Sequence, residues 1–362
     1  MEKIRFGIIG CGAVSQAHIE AIKSIPEAEL VAVADVVEEK AVQTAARWGC
    51  KAYGDYNEML ATADIQVVNI CTGSGVHMEP AVAAAKAGKH VIVEKPLEVT
   101  LERADAIIRA CRESGVKLAC IFQSRFTDCA RFLYDAIQQD KFGRLVAANA
   151  FVPWYRDQHY YDASGWRGTW RFDGGGALMN QGIHSVDMIQ WLMGPVKAVK
   201  AYTGCLAHER LEVEDLAAAV LQFAGGALGV IQCATSFYPG YPKRLEIYGA
   251  LGSSIAVDDR VTELNGDRFT ESEKEELFRK MADKEAARNF RDPMAFSFEG
   301  HKKQIEDLIR AIKEDRRPFV DGEEARKSIE IIMAIYKSAA EGGEVELPLK
   351  EDPEHIKTVH GR

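Results

Sequence analysis

The sequence predicts an α/β protein in two parts: an N-terminal Rossmann dinucleotide-binding domain over residues 1–125, and a C-terminal α+β domain with a largely antiparallel open sheet over 126–362. Three observations predict it. Up to about residue 125, short apolar runs alternate with amphipathic helical stretches, the βαβ signature of a doubly wound parallel sheet. A glycine-rich turn, Gly10-Cys11-Gly12, follows the first run. Beyond residue 195, strand-like runs succeed one another without intervening helices, which suggests antiparallel pairing. At 362 residues the chain also exceeds the usual size of one hydrophobic core.

In the first part, strands are expected at Ile4 to Ile9, Leu30 to Ala34, Ile65 to Cys71, His90 to Val93 and Lys117 to Phe122. Helices are expected near Ala13 to Ile25, Val37 to Trp48, Met78 to Ala87 and Leu101 to Ser114. A helix near Cys129 to Gln139 then leads to a strand at Leu145 to Val152 and an aromatic loop. A long helix from Ala177 to Met193 follows and is stopped by Gly194-Pro195. Strands follow at Val196 to Tyr202, Leu216 to Phe223, Ala227 to Thr235, Arg244 to Tyr248 and Ser254 to Val257, with Gly225-Gly226 as a hairpin turn. Residues 265–298 are charged and irregular and read as a solvated loop and helix; helices at Glu299 to Asp315 and Gly322 to Glu341 close the chain.

Composition narrows the function. Apolar residues make up 47% of the chain, as in globular proteins, and a net charge of -9 argues against a nucleic-acid partner, whose phosphates demand a basic face. No apolar stretch approaches the roughly 18 residues that suggest a membrane span. The N-terminus enters a strand within three residues, without the features of a signal peptide, so a cytoplasmic location is expected. Eight cysteines are scattered without a CxxC pair and read as small core residues of a reducing compartment; no Cys/His spacing suggests a metal site.

The segment Gly7 to Ser15 fits the first strand, tight turn and helix start of a dinucleotide site. Gly10 permits the turn, Gly12 lets the backbone approach a pyrophosphate, and Ala13 and Val14 open the helix whose positive end meets it. Ser15 stands where the strict pattern has a third glycine. Asp35 ends the second strand about 25 residues after Gly10, placed to accept from adenosine ribose hydroxyls and to repel a 2′-phosphate. Val36 and Val37 offer that phosphate no cation, so NAD is expected in preference to NADP.

Three further segments complete a set: Cys71-Thr72-Gly73-Ser74-Gly75-Val76-His77, Glu94-Lys95-Pro96 directly after the His90 to Val93 run, and Gly174 to Asp187 with its glycine triplet, Asn180 and His184. Together with the dinucleotide turn they resemble the Gfo/Idh/MocA family of sugar and inositol dehydrogenases over nearly the whole chain. The resemblance implies that Gly10, Gly12, Asp35, Thr72, His77, Glu94, Lys95 and Gln123 contact the nicotinamide cofactor, with Ala13, Val14 and Gly73 in the same loops. Two departures stand out: Thr72-Gly73 replaces a frequent Thr-Pro, which is expected to loosen that loop, and Asn180 replaces a frequent aspartate four residues before His184.

Asn180 and His184 share a helix face, and Asp187 and Met188 continue the stripe. The expected reaction oxidises a secondary alcohol, which needs a proton acceptor and a positive group beside the developing oxyanion. His184 suits the first role and Lys95 the second, and the reverse assignment stays open. With Asn180 in place of a carboxylate, no local anion is expected to favour a protonated His184. The loop from Trp154 to Arg171 is rich in aromatics and arginine, suited to sugar faces and hydroxyls; Arg167 is taken as a substrate contact with Lys95, Asn180 and His184.

The leading reading is an NAD-dependent dehydrogenase acting on a ring hydroxyl of a small-molecule sugar, glycoside or cyclitol. The runner-up is a UDP-N-acetylglucosaminuronate 3-dehydrogenase, for which Arg156, Arg167 and Arg171 would supply a cationic pocket. A third is a sensor that binds NAD(H) without turnover. By the resemblance, a homodimer or homotetramer forms through the C-terminal sheet.

Overall fold

The computed structural model describes residues 3–282 and 298–360. These fall into two compact units, residues 3–123 with 298–326, and residues 124–282 with 327–360.

In the first unit, mainly apolar runs become the strands β1 (Ile4–Ile9), β2 (Ala28–Ala34), β4 (Val67–Ile70), β5 (His90–Val93) and β6 (Leu118–Cys120), of which β4 and β6 are buried on both faces throughout, while β3 (Lys51–Tyr53) is largely exposed. All pair in parallel in the order β3-β2-β1-β4-β5-β6. That order reverses between β1 and β4, so the crevice outside their carboxyl ends is the place where a ligand binds in such sheets. Helices Ser15–Ser24, Glu38–Trp48, Met78–Lys86 and Leu101–Glu113 stand within two residues of expectation. Strand β3 and helix Tyr56–Thr62 were not expected, since β3 is two exposed residues and one half-buried one without an apolar run.

The expected division at residue 125 differs from the observed one. Helix Glu299–Lys313 joins the first unit, because its apolar stripe, Ile305, Leu308 and Ile309, completes a cluster with Phe6, Ile19 and Ile22.

The second unit is built on β7 (Leu145–Pro153), β8 (Val196–Gly204), β9 (Leu216–Phe223), β10 (Leu228–Ala234), β11 (Arg244–Gly249), β12 (Gly252–Val257), β13 (Arg260–Gly266) and β14 (Val345–Glu346), ordered β13-β12-β11-β7-β10-β9-β8-β14. Every pairing is antiparallel except β7 with β10. Gly225-Gly226 turns β9 into β10 as expected, with the Gly226 N–H donating to the Phe223 carbonyl. The expected helix from Ala177 to Met193 is in two parts: a π-helical turn, Ala177–Gly182, and a regular helix, Ile183–Met193. Such turns accumulate at functional sites. Of the charged segment 265–298, residues Glu271–Ala282 form a helix and 283–297 lie outside the described residues.

Five of the eight cysteines are buried, and burial pushes their thiols up where a shift is resolved, as at Cys111, to about 12; Cys205 is exposed and is not a core residue. Among the described residues no helix is long and apolar enough to cross a membrane.

Candidate functional site

The first unit gathers its expected residues at the carboxyl ends of β1, β2, β4, β5 and β6. Gly10 leaves β1 at φ +96°, and a Cβ there would stand 2.6 Å from the Cys71 carbonyl oxygen, so the turn demands glycine. A Cβ on Gly12 would meet nothing within 4 Å, and Gly12 and Ala13 are exposed. The space a pyrophosphate needs is therefore open beside the first turn of helix Ser15–Ser24, behind Val14. Ser15 replaces the third glycine without obstructing this turn, since its hydroxyl folds back to donate to the Gly12 carbonyl at 2.6 Å.

Asp35 ties β2 to the glycine turn. One carboxylate oxygen accepts the Cys11 N–H and the other the Val37 N–H, both at 2.8 Å. A carboxylate has about four lone-pair sites, so ribose hydroxyls remain within its capacity. The loop after β4 is pinned rather than loosened: Thr72 Oγ1 donates to the Val76 carbonyl, and His77 sets its two ring nitrogens against the carbonyls of Pro96 (2.9 Å) and Thr72 (3.2 Å). Gly73 has φ -66°, the angle a proline would impose, so the glycine keeps the loop's course. Gln123, three residues beyond β6, is buried, and its Oε1 has no hydrogen-bond partner among the described residues, an acceptor that a cofactor amide would satisfy.

Lys95 is half-buried directly after β5, and its backbone N–H donates to Glu94 Oε2 at 3.0 Å. Glu94 is itself held by two histidines that sequence spacing does not connect. His18 Nε2 lies 2.8 Å and His301 Nε2 3.1 Å from Glu94 Oε1. The Asn69 amide donates to His18 Nδ1 at 2.8 Å, so the His18 proton sits on Nε2 and points at Glu94. The fold thus brings together three side chains able to ligate a cation, although no sequence spacing announced it; hydrogen bonds account for their arrangement. Burial would raise the Glu94 carboxyl, but the bonds from His18 and His301 outweigh it and hold it well below the ordinary range. Burial lowers the His18 imidazole against the opposing pull of Glu94.

Acid sensitivity follows. A carboxyl held below its ordinary 4.5 contributes stability present above 4.5 and lost as pH falls through the folded value. An imidazole held below 6.5 does the same from 6.5 downward, because the unfolded chain takes up the proton first. The thermal midpoint of the protein is expected to fall from pH 7 to pH 4, and His18→Gln to flatten the part between 6.5 and 4.5. A variant profile parallel to the wild type there would contradict the assignment.

In the second unit, Glu214 caps the turn that opens the His184 helix. Its carboxylate accepts the N–H groups of Gly176 and Leu178, each at 2.9 Å, and the Tyr336 hydroxyl at 3.0 Å. Burial pushes this carboxyl up to about 7 against those three donors. A Cβ on Gly176 would lie 1.9 Å from the Glu214 carbonyl, which accounts for the end of the glycine triplet.

His184 is buried in the following helix, one turn after the half-buried Asn180. Asp187, three residues after His184, is buried and held by other partners: Arg125 clamps its carboxylate with bonds of 2.8 and 2.6 Å, and Ser328 donates to it. The Asn180 amide donates to the buried carboxylate of Asp173 at 2.6 Å, an anion the sequence did not point to. Arg167 lays its guanidinium 4.1 Å from the Tyr160 ring centroid and donates to the Tyr160 carbonyl, while Arg171 is exposed. His18, His301, Asp173 and Glu214 escaped the sequence reading. The one available signal was that His18 falls on the buried stripe of its helix with Ser15, Ile19 and Ile22.

Residues 4–122 match the family model described as an oxidoreductase family, NAD-binding Rossmann fold, and residues 131–255 match the GFO/IDH/MocA C-terminal domain. The chain resembles the WlbA dehydrogenase from Bordetella pertussis, solved in complex with NADH and UDP-GlcNAcA, at 34% identity, covering 96% of this chain and 99% of that one with a TM-score of 0.89. For the WlbA dehydrogenase of Chromobacterium violaceum, in complex with the same two molecules, the values are 33%, 97%, 97% and 0.88. The myo-inositol 2-dehydrogenase of Thermotoga maritima is 28% identical over 354 residues, 95% of this chain and 98% of the relative.

Proposed function

Because the chain belongs to the Gfo/Idh/MocA family of NAD-binding oxidoreductases, we propose that it oxidises a secondary ring hydroxyl of a nucleotide-linked sugar acid of the UDP-N-acetylglucosaminuronate type. The observation that carries this substrate is the 34% identity, over 96% of the chain, to a dehydrogenase bound to that compound, against 28% to the inositol enzyme. It reverses the order of the two substrate readings drawn from the sequence. Arg156 and Arg167, both turned toward Tyr160, supply positive charge for such an anion.

Gly10, Gly12, Ala13, Val14, Asp35, Thr72, Gly73, His77, Glu94, Lys95 and Gln123 would hold the dinucleotide. Asp35 supports NAD over NADP, since a 2′-phosphate beside its carboxylate would be repelled and the neighbouring Val36 and Val37 are exposed and uncharged. The bound nicotinamide supplies the hydride acceptor. His184 takes the hydroxyl proton while Lys95 favours the developing oxyanion, with Glu94 anchored so that its neighbour is presented from a fixed backbone. Asn180 and Arg167 orient the substrate. The protein works in the cytoplasm as a homodimer or homotetramer; support for assembly through the second sheet comes from Tyr202, Val220 and Leu228, exposed on three adjacent strands.

The purified protein is tested for NADH formation against UDP-N-acetylglucosaminuronate, free hexoses, inositols and simple glycosides, with NADP as a second oxidant. Turnover confined to the UDP-sugar acid with NAD is the expected result. Turnover of inositols or free sugars alone would restore the other reading, and NADH binding without any turnover would make the chain a sensor.

A further inference from the structure

Four side chains of the second unit form one directed chain of hydrogen bonds. Arg156 Nη2 donates to Gln181 Oε1 at 3.0 Å, Gln181 Nε2 donates to Asn180 Oδ1 at 2.9 Å, and Asn180 Nδ2 donates to Asp173 Oδ1 at 2.6 Å. Its ends are of opposite kind: a guanidinium only donates, and a carboxylate only accepts. Both ends are buried, and Asp173 is further fixed by the Gly168 N–H on Oδ2 at 3.0 Å. An amide alone can turn over and exchange its oxygen for its nitrogen. Two amides in series between Arg156 and Asp173 cannot, because any reversal sets donor against donor.

We propose that Asp173 and Arg156 are positioning residues that lock this polarity, so that Asn180 presents an acceptor oxygen, not amide hydrogens, on its side away from Asp173. The same polarity reaches Tyr160. Gln181 Nε2 donates to its hydroxyl oxygen at 3.0 Å, which directs the Tyr160 O–H outward as a donor. The site therefore selects a substrate carrying a hydroxyl hydrogen for Asn180 and an acceptor, such as a carboxylate or carbonyl oxygen, for Tyr160. This rests on the proposed sugar-acid reading and specifies which polar groups of that substrate are read.

The test exchanges the two ends of one bond. In Asp173→Asn, the new amide must accept from Gly168 with its oxygen and so shows nitrogen to Asn180; the reversal runs on to Arg156, where two donors meet. In Asn180→Asp, two carboxylates touch. In the double variant D173N/N180D every bond is again matched, with Asn at 173 donating to Asp at 180, which still accepts from Gln181. Each single variant is expected to lower the thermal midpoint by about 5 °C, and the double variant to recover most of it. KM for UDP-N-acetylglucosaminuronate should rise about tenfold or more in Asp173→Asn with a smaller change in kcat, and return to within about threefold of wild type in the double variant, where position 180 again offers oxygen. A double variant no more stable than the worse single one overturns the lock. Recovery of the midpoint with KM still raised makes the network structural only and overturns its positioning role. The thermal arm needs no substrate, so if UDP-N-acetylglucosaminuronate is not turned over at all, that reading fails while the midpoints still decide the lock.

Discussion

Replacing Lys95 by methionine is expected to lower kcat about 10³-fold while weakening NADH affinity no more than about tenfold, since Lys95 is one of many residues that would hold the dinucleotide. The separation is expected because the backbone at this position has a hold of its own. Lys95 donates its N–H to Glu94, and Glu94 is gripped by His18 and His301, so the peptide stays in place when the ammonium goes. Arginine should not rescue the loss, since its broad planar fork does not reproduce a compact point charge. Steady-state turnover and fluorescence titration with NADH check both halves. Retention of a tenth of the wild-type kcat would remove Lys95 from the chemistry.

The second large effect contrasts two glycines. Gly10→Ala is expected to weaken NADH binding at least 100-fold and to lower the thermal midpoint, because alanine must take φ near +96° with its methyl 2.6 Å from the Cys71 carbonyl. Gly12→Ala should leave the midpoint nearly unchanged, since its methyl would enter open space, yet still weaken NADH where the pyrophosphate comes close. Equal midpoints for both variants would contradict the strain assigned to Gly10, and unchanged binding in Gly12→Ala would mean that the dinucleotide does not lie on this turn.

How much of this was legible in the sequence depended on the physical range of each signal. Strands buried on both faces, such as Val67–Ile70 and His90–Val93, write themselves as runs in which all but one residue is apolar, and the helices between them as stripes. Short or solvent-facing strands do not: Lys51–Tyr53 and Arg260–Gly266 have no such run and were missed. For the proposed site, Gly10, Asp35, Lys95 and His184 were singled out because each stands at a fixed offset from a strand or helix end. The grip of His18 and His301 on Glu94 joins residues 76 and 207 positions apart, and no local pattern records a bond of that kind. Asp173 was hidden differently. Only seven residues from Asn180, it takes its meaning from the bond between them, not from the spacing.

The return of helix Glu299–Lys313 to the first unit has a consequence for biosynthesis. Ribosomes add roughly 5–20 residues per second, so strands β1 to β6 emerge on the order of ten seconds or more before the helix that covers Ile19 and Ile22 and supplies His301. Until then the nascent nucleotide-binding half carries an uncovered apolar face and a Glu94 with one of its two histidines. A gene fragment ending near residue 125 is therefore a poor expression target, whereas one that splices residues 298–326 back onto it restores the missing wall.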